Sequence, residues 1–79
     1  MKIQAIKKMV ESYSLEEITL AEADLAEGKI PAIAIDGEDE GERLTHAFGA
    51  KYILEKMREG MEMQVALRDF TQKVRGSIS

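Results

Sequence analysis

Apolar residues recur every three or four positions along most of this 79-residue chain, which is the spacing of amphipathic helices. The first stripe predicts a helix over residues 3–12. A strand over residues 2–6 is the alternative, but the helical period continues through Tyr13 and favours the helix. The apolar members of this stripe are Ile3, Ile6, Val10 and Tyr13.

A capping box predicts where the second helix begins. Ser14 is followed three residues later by Glu17, so each side chain can bond the backbone N–H of the other residue. The helix should therefore start at Leu15, and Gly28 is placed to take the left-handed conformation that ends it. Its predicted inner face consists of Leu15, Ile18, Ala21 and Leu25.

Two further helices are predicted in the second half of the chain, over residues 39–59 and 62–76. Acidic residues precede the third helix, as its dipole favours, and Gly60 is the predicted end signal. The third helix has more apolar positions than one stripe needs, so we expect it to be covered on two sides and to form the centre of the fold. These positions are Leu44, Ala47, Phe48, Ala50, Tyr52, Ile53, Leu54 and Met57. The inner stripe of the fourth helix is Met63, Ala66, Leu67, Phe70 and Val74.

Residues 31–36, Pro-Ala-Ile-Ala-Ile-Asp, alternate as a short β-strand does. The predicted fold class is therefore mainly α, in the α+β sense, with four helices and one strand. A lone strand leaves its backbone groups without partners. We expect a second copy of the chain to supply the neighbouring strand across a homodimer.

Size and composition favour the same interpretation. The chain forms one domain over residues 1–79, and a domain this small buries only about 60% of the surface that its unfolded chain exposes. It has no cysteine, so neither a disulfide nor a cysteine-ligated metal can stabilise it. Oligomerisation is the usual remaining remedy.

Charge is distributed unevenly along the chain. Residues 14–42 hold ten acids and one base, whereas residues 1–13 carry a net +2 and residues 43–79 a net +3. This layout argues against nucleic acid as a partner and suits contact between unlike ends of two subunits. No membrane span or signal peptide is predicted, and we expect a cytoplasmic protein.

The acidic segment 36–46 is a candidate divalent-cation or ligand site. Asp36, Glu38 and Glu40 alternate as in a calcium-binding loop, but Ala47 stands where such a loop needs a bidentate carboxylate. A standard calcium loop is thus excluded, and a solvated acidic turn that caps the third helix is favoured. The alternative cation site would use Asp36, Glu38, Asp39, Glu42 and His46.

Catalytic chemistry has little support. Glu42 and His46 lie four residues apart and share a helix face, but no nucleophile is patterned beside them. We interpret His46 as a polar residue near the helix start, stabilised by its acidic neighbours. The chain is therefore predicted not to be an enzyme and to need no cofactor.

Several stretches resemble a family of small bacterial proteins that share an uncharacterised domain of unknown function. The similar segments include residues 39–44, Asp-Glu-Gly-Glu-Arg-Leu, and the ending at residues 74–78, Val-Arg-Gly-Ser-Ile. The resemblance spans almost the whole chain and implies a compact, mostly helical protein of about 80 residues. It also implies genes near thioredoxin-like proteins, which suggests a thioredoxin-like protein partner. Without cysteine, this chain could act there only as an adaptor or regulator.

These observations lead to one hypothesis, a non-enzymatic homodimeric helical module that works through protein–protein contact. The partners expected are a second copy of the chain and the thioredoxin-like protein that the resemblance implies, with no nucleic acid and no membrane. The predicted self-association surface consists of Ile33, Ile35, Phe48, Tyr52 and Ile53.

Replacing Ser14 with Ala removes the predicted cap and should lower the free energy of unfolding by about 1 kcal/mol. Urea denaturation followed by circular dichroism measures the change. Ser12→Ala lies on the other side of the boundary between the helices and serves as the control, which should leave stability nearly unchanged. An equal effect of the two substitutions would contradict the capping box.

Overall fold

The computed structural model describes residues 2–78, and the side chains of residues 2–76. The described chain contains four α-helices joined by irregular connections. The helices are α1 (Ile3–Ser12), α2 (Leu15–Ala26), α3 (Glu40–Arg58) and α4 (Met63–Ile78). The prediction of a mainly helical fold is confirmed, and the alternative of a strand at residues 2–6 is wrong, since residues 3–6 form the start of α1.

Local signals place the helix ends close to where the sequence predicts them. Both bonds of the capping box are present at the start of α2, where the Glu17 N–H donates to Ser14 Oγ at 3.2 Å and the Ser14 N–H to Glu17 Oε1 at 2.9 Å. Gly28, with φ 76°, ends α2 in the left-handed region. Gly60, with φ 103°, stands between α3 and α4 in the same way. Helix α4 continues through Gly76 and is longer than predicted, because one glycine costs only about 1 kcal/mol in a helix.

The prediction of a strand at residues 31–36, paired across a homodimer, is not supported by the structure. These residues are irregular, and the described part of the chain contains no strand. The physical reason is that no other backbone lies alongside: residues 30–35 make no hydrogen bond with the rest of the described chain. The alternating pattern of the segment appears only in the burial of its side chains. Ile33 and Ile35 are half-buried against the core, while Ala32 and Ala34 are exposed.

Helix α3 is the centre of the fold, as the sequence predicts. It packs against each of the other three helices. Small residues form much of its buried face, so the flanking helices can approach closely. The buried residues of α3 are His46, Ala47, Gly49, Ala50 and Ile53. They meet a core that includes Ile6, Met9, Val10, Ile18, Leu25, Ala66 and Phe70.

Gly49 marks the tightest contact of this core. A Cβ atom at this position would lie 2.8 Å from Phe70 Cε2 and 3.0 Å from Ile6 Cδ1. Both neighbours are almost completely buried, so neither side chain has room to move away. The absence of a side chain at residue 49 is therefore what lets α1 and α4 meet on α3.

Gly49→Ala should lower the free energy of unfolding by up to about 2 kcal/mol. Overpacking costs about 1–3 kcal/mol and outweighs the helix propensity gained, about 1 kcal/mol. Chemical denaturation measures the change. Gly76→Ala is the matched control: nothing lies within 4 Å of a Cβ at that helical position, so this variant should be neutral or stabilised. A stabilised Gly49→Ala variant would contradict the close packing.

Candidate functional site

An apolar groove runs along α3 between α2 and α4. Helices α2 and α3 are antiparallel, since Glu16 at the start of α2 pairs with Arg58 at the end of α3. The groove has a volume of about 450 Å³. Its lining combines small and aromatic residues from three helices: Glu22, Ala23, Ala26, Leu44, Thr45, Phe48, Phe70 and Val74.

Phe48 is the prominent residue of this groove. Its ring lies against that of Phe70, with centroids 6.1 Å apart, yet 55% of its surface is exposed. Phe70 itself is buried, at 2% exposure. Phe48 therefore extends the core outward to the surface, where about half of its ring is open to contact.

A polar cluster lies beside the groove where α3 meets α4. The Tyr52 hydroxyl donates to the Asp69 carboxylate and accepts a hydrogen bond of 2.7 Å from Lys73 Nζ. The Tyr52 ring lies 5.7 Å from that of Phe70, between centroids. The hydrogen bond to Tyr52 raises the pKa of Lys73, with a smaller contribution from Asp69. Lys73 thus stays positively charged at the rim of the α4 wall.

Glu22, which lines the groove, has one carboxylate oxygen in an ion pair and one that is buried without a partner in the described chain. Its Oε1 pairs with Lys51 Nζ at 3.2 Å, with the two side chains 20% and 31% exposed. Its Oε2 is buried and has no hydrogen-bond partner among the described residues. A buried carboxylate oxygen without a donor is unfavourable. This oxygen has almost no accessible surface, so it is enclosed by the protein and is not presented to the groove.

His46 has a different role from the one the sequence suggested. It lies near the start of α3, as predicted, but its side chain is completely buried and its hydrogen-bond partners are backbone groups rather than acidic side chains. Nε2 accepts the Lys2 N–H at 2.9 Å, and Nδ1 lies 2.7 Å from the Asp36 carbonyl oxygen, to which it donates when Nε2 is the acceptor. His46 thereby ties the amino terminus and the loop before α3 to the core. Its spacing of four and seven residues from Ala50 and Ile53 was the signal available in the sequence.

The acidic segment 36–46 is used mainly for local capping. Asp39 Oδ1 accepts the Glu42 N–H at 2.7 Å, and Glu42 Oε1 accepts the Glu38 N–H at 2.9 Å. This second bond is the main reason that the pKa of Glu42 lies below its usual range. Asp36 contributes its carbonyl to His46, and its carboxylate lies 4.0 Å from Lys8 Nζ.

The candidate metal ligands do not converge in the structure. Among the described residues there is no group of three or more His, Cys, Asp or Glu side chains that could hold a metal ion. The carboxylates of Asp39 and Glu42 face backbone amides, and both ring nitrogens of His46 lie against backbone groups. This segment shapes the loop and the start of α3.

The predicted self-association residues are only partly at the surface. Phe48 is exposed, and Tyr52 is half-buried beside it. Ile33 and Ile35 are half-buried against the chain's own core. Ile53 is completely buried in that core, so its side chain has no surface to offer. Sequence reasoning missed Glu22, Ala23 and Ala26, because the groove needs the packing of α2 to exist.

The fold and the groove define a small, mainly helical domain with an open apolar groove beside its central helix. The chain belongs to DUF6952, a family of unknown function, whose model matches residues 1–79. This confirms the resemblance to a domain of unknown function. Neither a curated protein nor a solved structure matches the chain. Within residues 2–78 no helix combines the length and the apolar character that crossing a membrane requires.

His46→Leu should lower the free energy of unfolding by about 1–3 kcal/mol, because Leu fills a similar space but leaves the Lys2 N–H and the Asp36 carbonyl without their partner. Thr45→Val is the matched control. It also removes a side-chain hydrogen bond on α3, from the Thr45 hydroxyl to the Gly41 carbonyl, but this bond is exposed to solvent. Its effect should stay within about 0.5 kcal/mol. Equal stability of the two variants in urea would contradict the structural role of His46.

Proposed function

We propose that this protein is a non-enzymatic helical module that forms a homodimer and acts through protein–protein contact, as an adaptor or regulator. The groove between α2 and α4 is the observation that carries the proposal. It presents Phe48, 55% exposed, above a floor that continues directly into the core. Burying an aromatic side chain of this kind is among the largest contributions that a single residue makes to association.

The helix arrangement supports a binding role for this face. Three helices surround α3, and the sector of α3 between α2 and α4 is left open. The α2 side of the groove is shallow because Ala23 and Ala26 have small side chains. Another chain can therefore come close to the groove floor. Filling this sector buries more apolar surface of α3, which stabilises a small domain whose own core is limited.

The chemistry of the described side chains does not favour catalysis. His46, the only histidine of the chain, is 0% exposed and both of its ring nitrogens face backbone partners. It cannot reach a substrate without unfolding of the loop before α3. A cation-binding function has no specific observation in its favour, because the acidic side chains at 39 and 42 serve as caps. A thioredoxin-like partner stays a prediction.

The test is the mass of the purified chain in solution. We expect sedimentation at micromolar concentration to give a dimer of the 8.8 kDa chain. Phe48→Ala should weaken the dimer by about tenfold or more, because truncating a central aromatic residue costs over 1 kcal/mol. Val65→Ala is the control: Val65 is similarly exposed, at 49%, but lies on α4 away from the groove.

Two results would contradict the proposal. A monomer at all accessible concentrations would remove self-association. Equal dimerisation of Phe48→Ala, Val65→Ala and the unmodified chain would place the contact on another face. Circular dichroism of both variants shows whether the monomer remains folded, which is expected because each side chain is about half exposed.

A further inference from the structure

A second groove lies between α1 and α4 and is called the α1–α4 groove below. It has a volume of about 460 Å³. Leu67 and Thr71 of α4 form half-buried parts of its lining, and Ile3 of α1 adds further apolar surface. It shares no lining residue with the groove that presents Phe48. The two grooves are therefore separate surfaces of the domain.

The charged side chains of the α1–α4 groove all have the same sign. They are Lys7, Arg68 and Arg75, and no Asp or Glu among the described residues lines the groove. The chain as a whole carries a net charge of −4, so the sign of this groove is opposite to that of the molecule. A concave surface with charges of one sign concentrates the electric field and attracts groups of the opposite sign.

The chain's own carboxylates do not neutralise these three cations. Within the part of the chain that the structure describes, Lys7, Arg68 and Arg75 form no ion pair. The bases that do pair with a carboxylate all lie outside the groove. They are Lys8, Lys29, Lys51, Lys56, Arg58 and Lys73. The α1–α4 groove thus collects cations whose charge is left for another molecule to compensate.

The spacing of the cations suits a segment several residues long. Arg68 and Arg75 are seven residues apart on α4, which is about 10 Å along the helix axis. Lys7 lines the same groove from α1. Carboxylates three residues apart on an extended chain are also separated by about 10 Å, as are those seven residues apart on a helix.

The rest of the lining distinguishes between classes of acidic partner. It contains no aromatic residue on which a nucleic-acid base could stack. A flat lipid surface would not reach the half-buried Leu67 inside a concave groove. Apolar surface from Leu67 and Ile3 between three cations instead matches a protein segment in which an apolar side chain lies between carboxylates.

The acidic helix α2 of a second copy is a poor match for this groove. Three of its acidic side chains already pair with bases of their own chain: Glu16 with Arg58, Glu22 with Lys51, and Glu27, at the end of the helix, with Lys29. Docking α2 would exchange these pairs for new ones and gain little. A different protein, with carboxylates that are not paired in this way, gains the full charge compensation.

We propose that the α1–α4 groove binds an acidic segment of another protein. Its carboxylates pair with Lys7, Arg68 and Arg75, and an apolar side chain between them packs on Leu67. This inference goes beyond the proposed homodimer, because it gives the module a second contact surface on a face of α4 that the Phe48 groove does not use.

Fluorescence anisotropy with two labelled peptides tests the binding. One peptide alternates leucines with glutamates three residues apart, for an extended segment, and the other is a helical peptide with glutamates seven residues apart. We expect at least one to bind with a dissociation constant of about 1 mM or lower. Added NaCl should weaken this binding, because it screens exposed charges. Equal binding of the same peptides with glutamine in place of glutamate would overturn the inference.

A pair of double variants locates the site. Arg68→Gln with Arg75→Gln should weaken peptide binding by about threefold or more. Both arginines are exposed, and glutamine is nearly as good a helix former, so the circular dichroism spectrum and melting temperature should be kept. Lys8→Gln with Lys29→Gln is the matched control. It removes the same charge from side chains that are 72% and 66% exposed outside the groove, and binding should stay close to that of the unmodified chain.

The remaining outcomes are decisive in either direction. Failure of both acidic peptides to bind, or equal weakening by the two double variants, would overturn the inference. Tighter binding of phosphatidylserine vesicles or of a single-stranded DNA oligonucleotide would assign the groove to a lipid surface or to nucleic acid instead. The homodimer is tested separately, since Phe48→Ala should bind the peptides as the unmodified chain does. A monomer in sedimentation therefore removes the homodimer and leaves this groove intact.

Discussion

The close approach of three helices to α3 is the constraint on which the rest of this structure depends. It is possible because Gly49 has no side chain and because Ala47 and Ala50 are small. Phe70 lies directly over Gly49, and Ile6 reaches the same point from α1. One position thus joins two flanking helices to the central one. Any atom added there pushes both away, since close-packed interiors have no free volume to accept it.

The surface features follow from this packing. Phe70 is held over Gly49, and the ring of Phe48, the residue before Gly49, lies against Phe70 and is partly exposed to solvent. Helix α2 covers another side of α3 through Ile18, Ala21 and Leu25. The sector between α2 and α4 stays open because these helices are spaced by α3 itself. The groove is therefore a consequence of the core.

Polar groups hold the irregular parts of the chain in a similar manner. Residues 30–35 have no backbone hydrogen bonds to the described chain, so their position depends on their ends. A Schellman motif fixes the end at Gly28, and His46 fixes the other end through the Asp36 carbonyl. Between these anchors, Ile33 and Ile35 pack against the core while Ile30 projects into solvent. A loop held at both ends can present a side chain in a defined place without forming a strand.

Much of the fold could be predicted from the sequence, because helix signals are local. The period of apolar residues, the capping box at Ser14 and the glycines at 28 and 60 each act within a few residues, and the four helices lie where these signals place them.

The strand at 31–36 could not be judged this way, since a strand requires a neighbouring backbone that only the tertiary structure supplies or withholds. The burial of His46 and Glu22 could not be predicted for the same reason, because burial depends on the helices packed around a residue. The sequence by itself determined the helices and their apolar faces. Only the tertiary structure decided which part of those faces remained open as a groove, because that depends on how the helices surround α3.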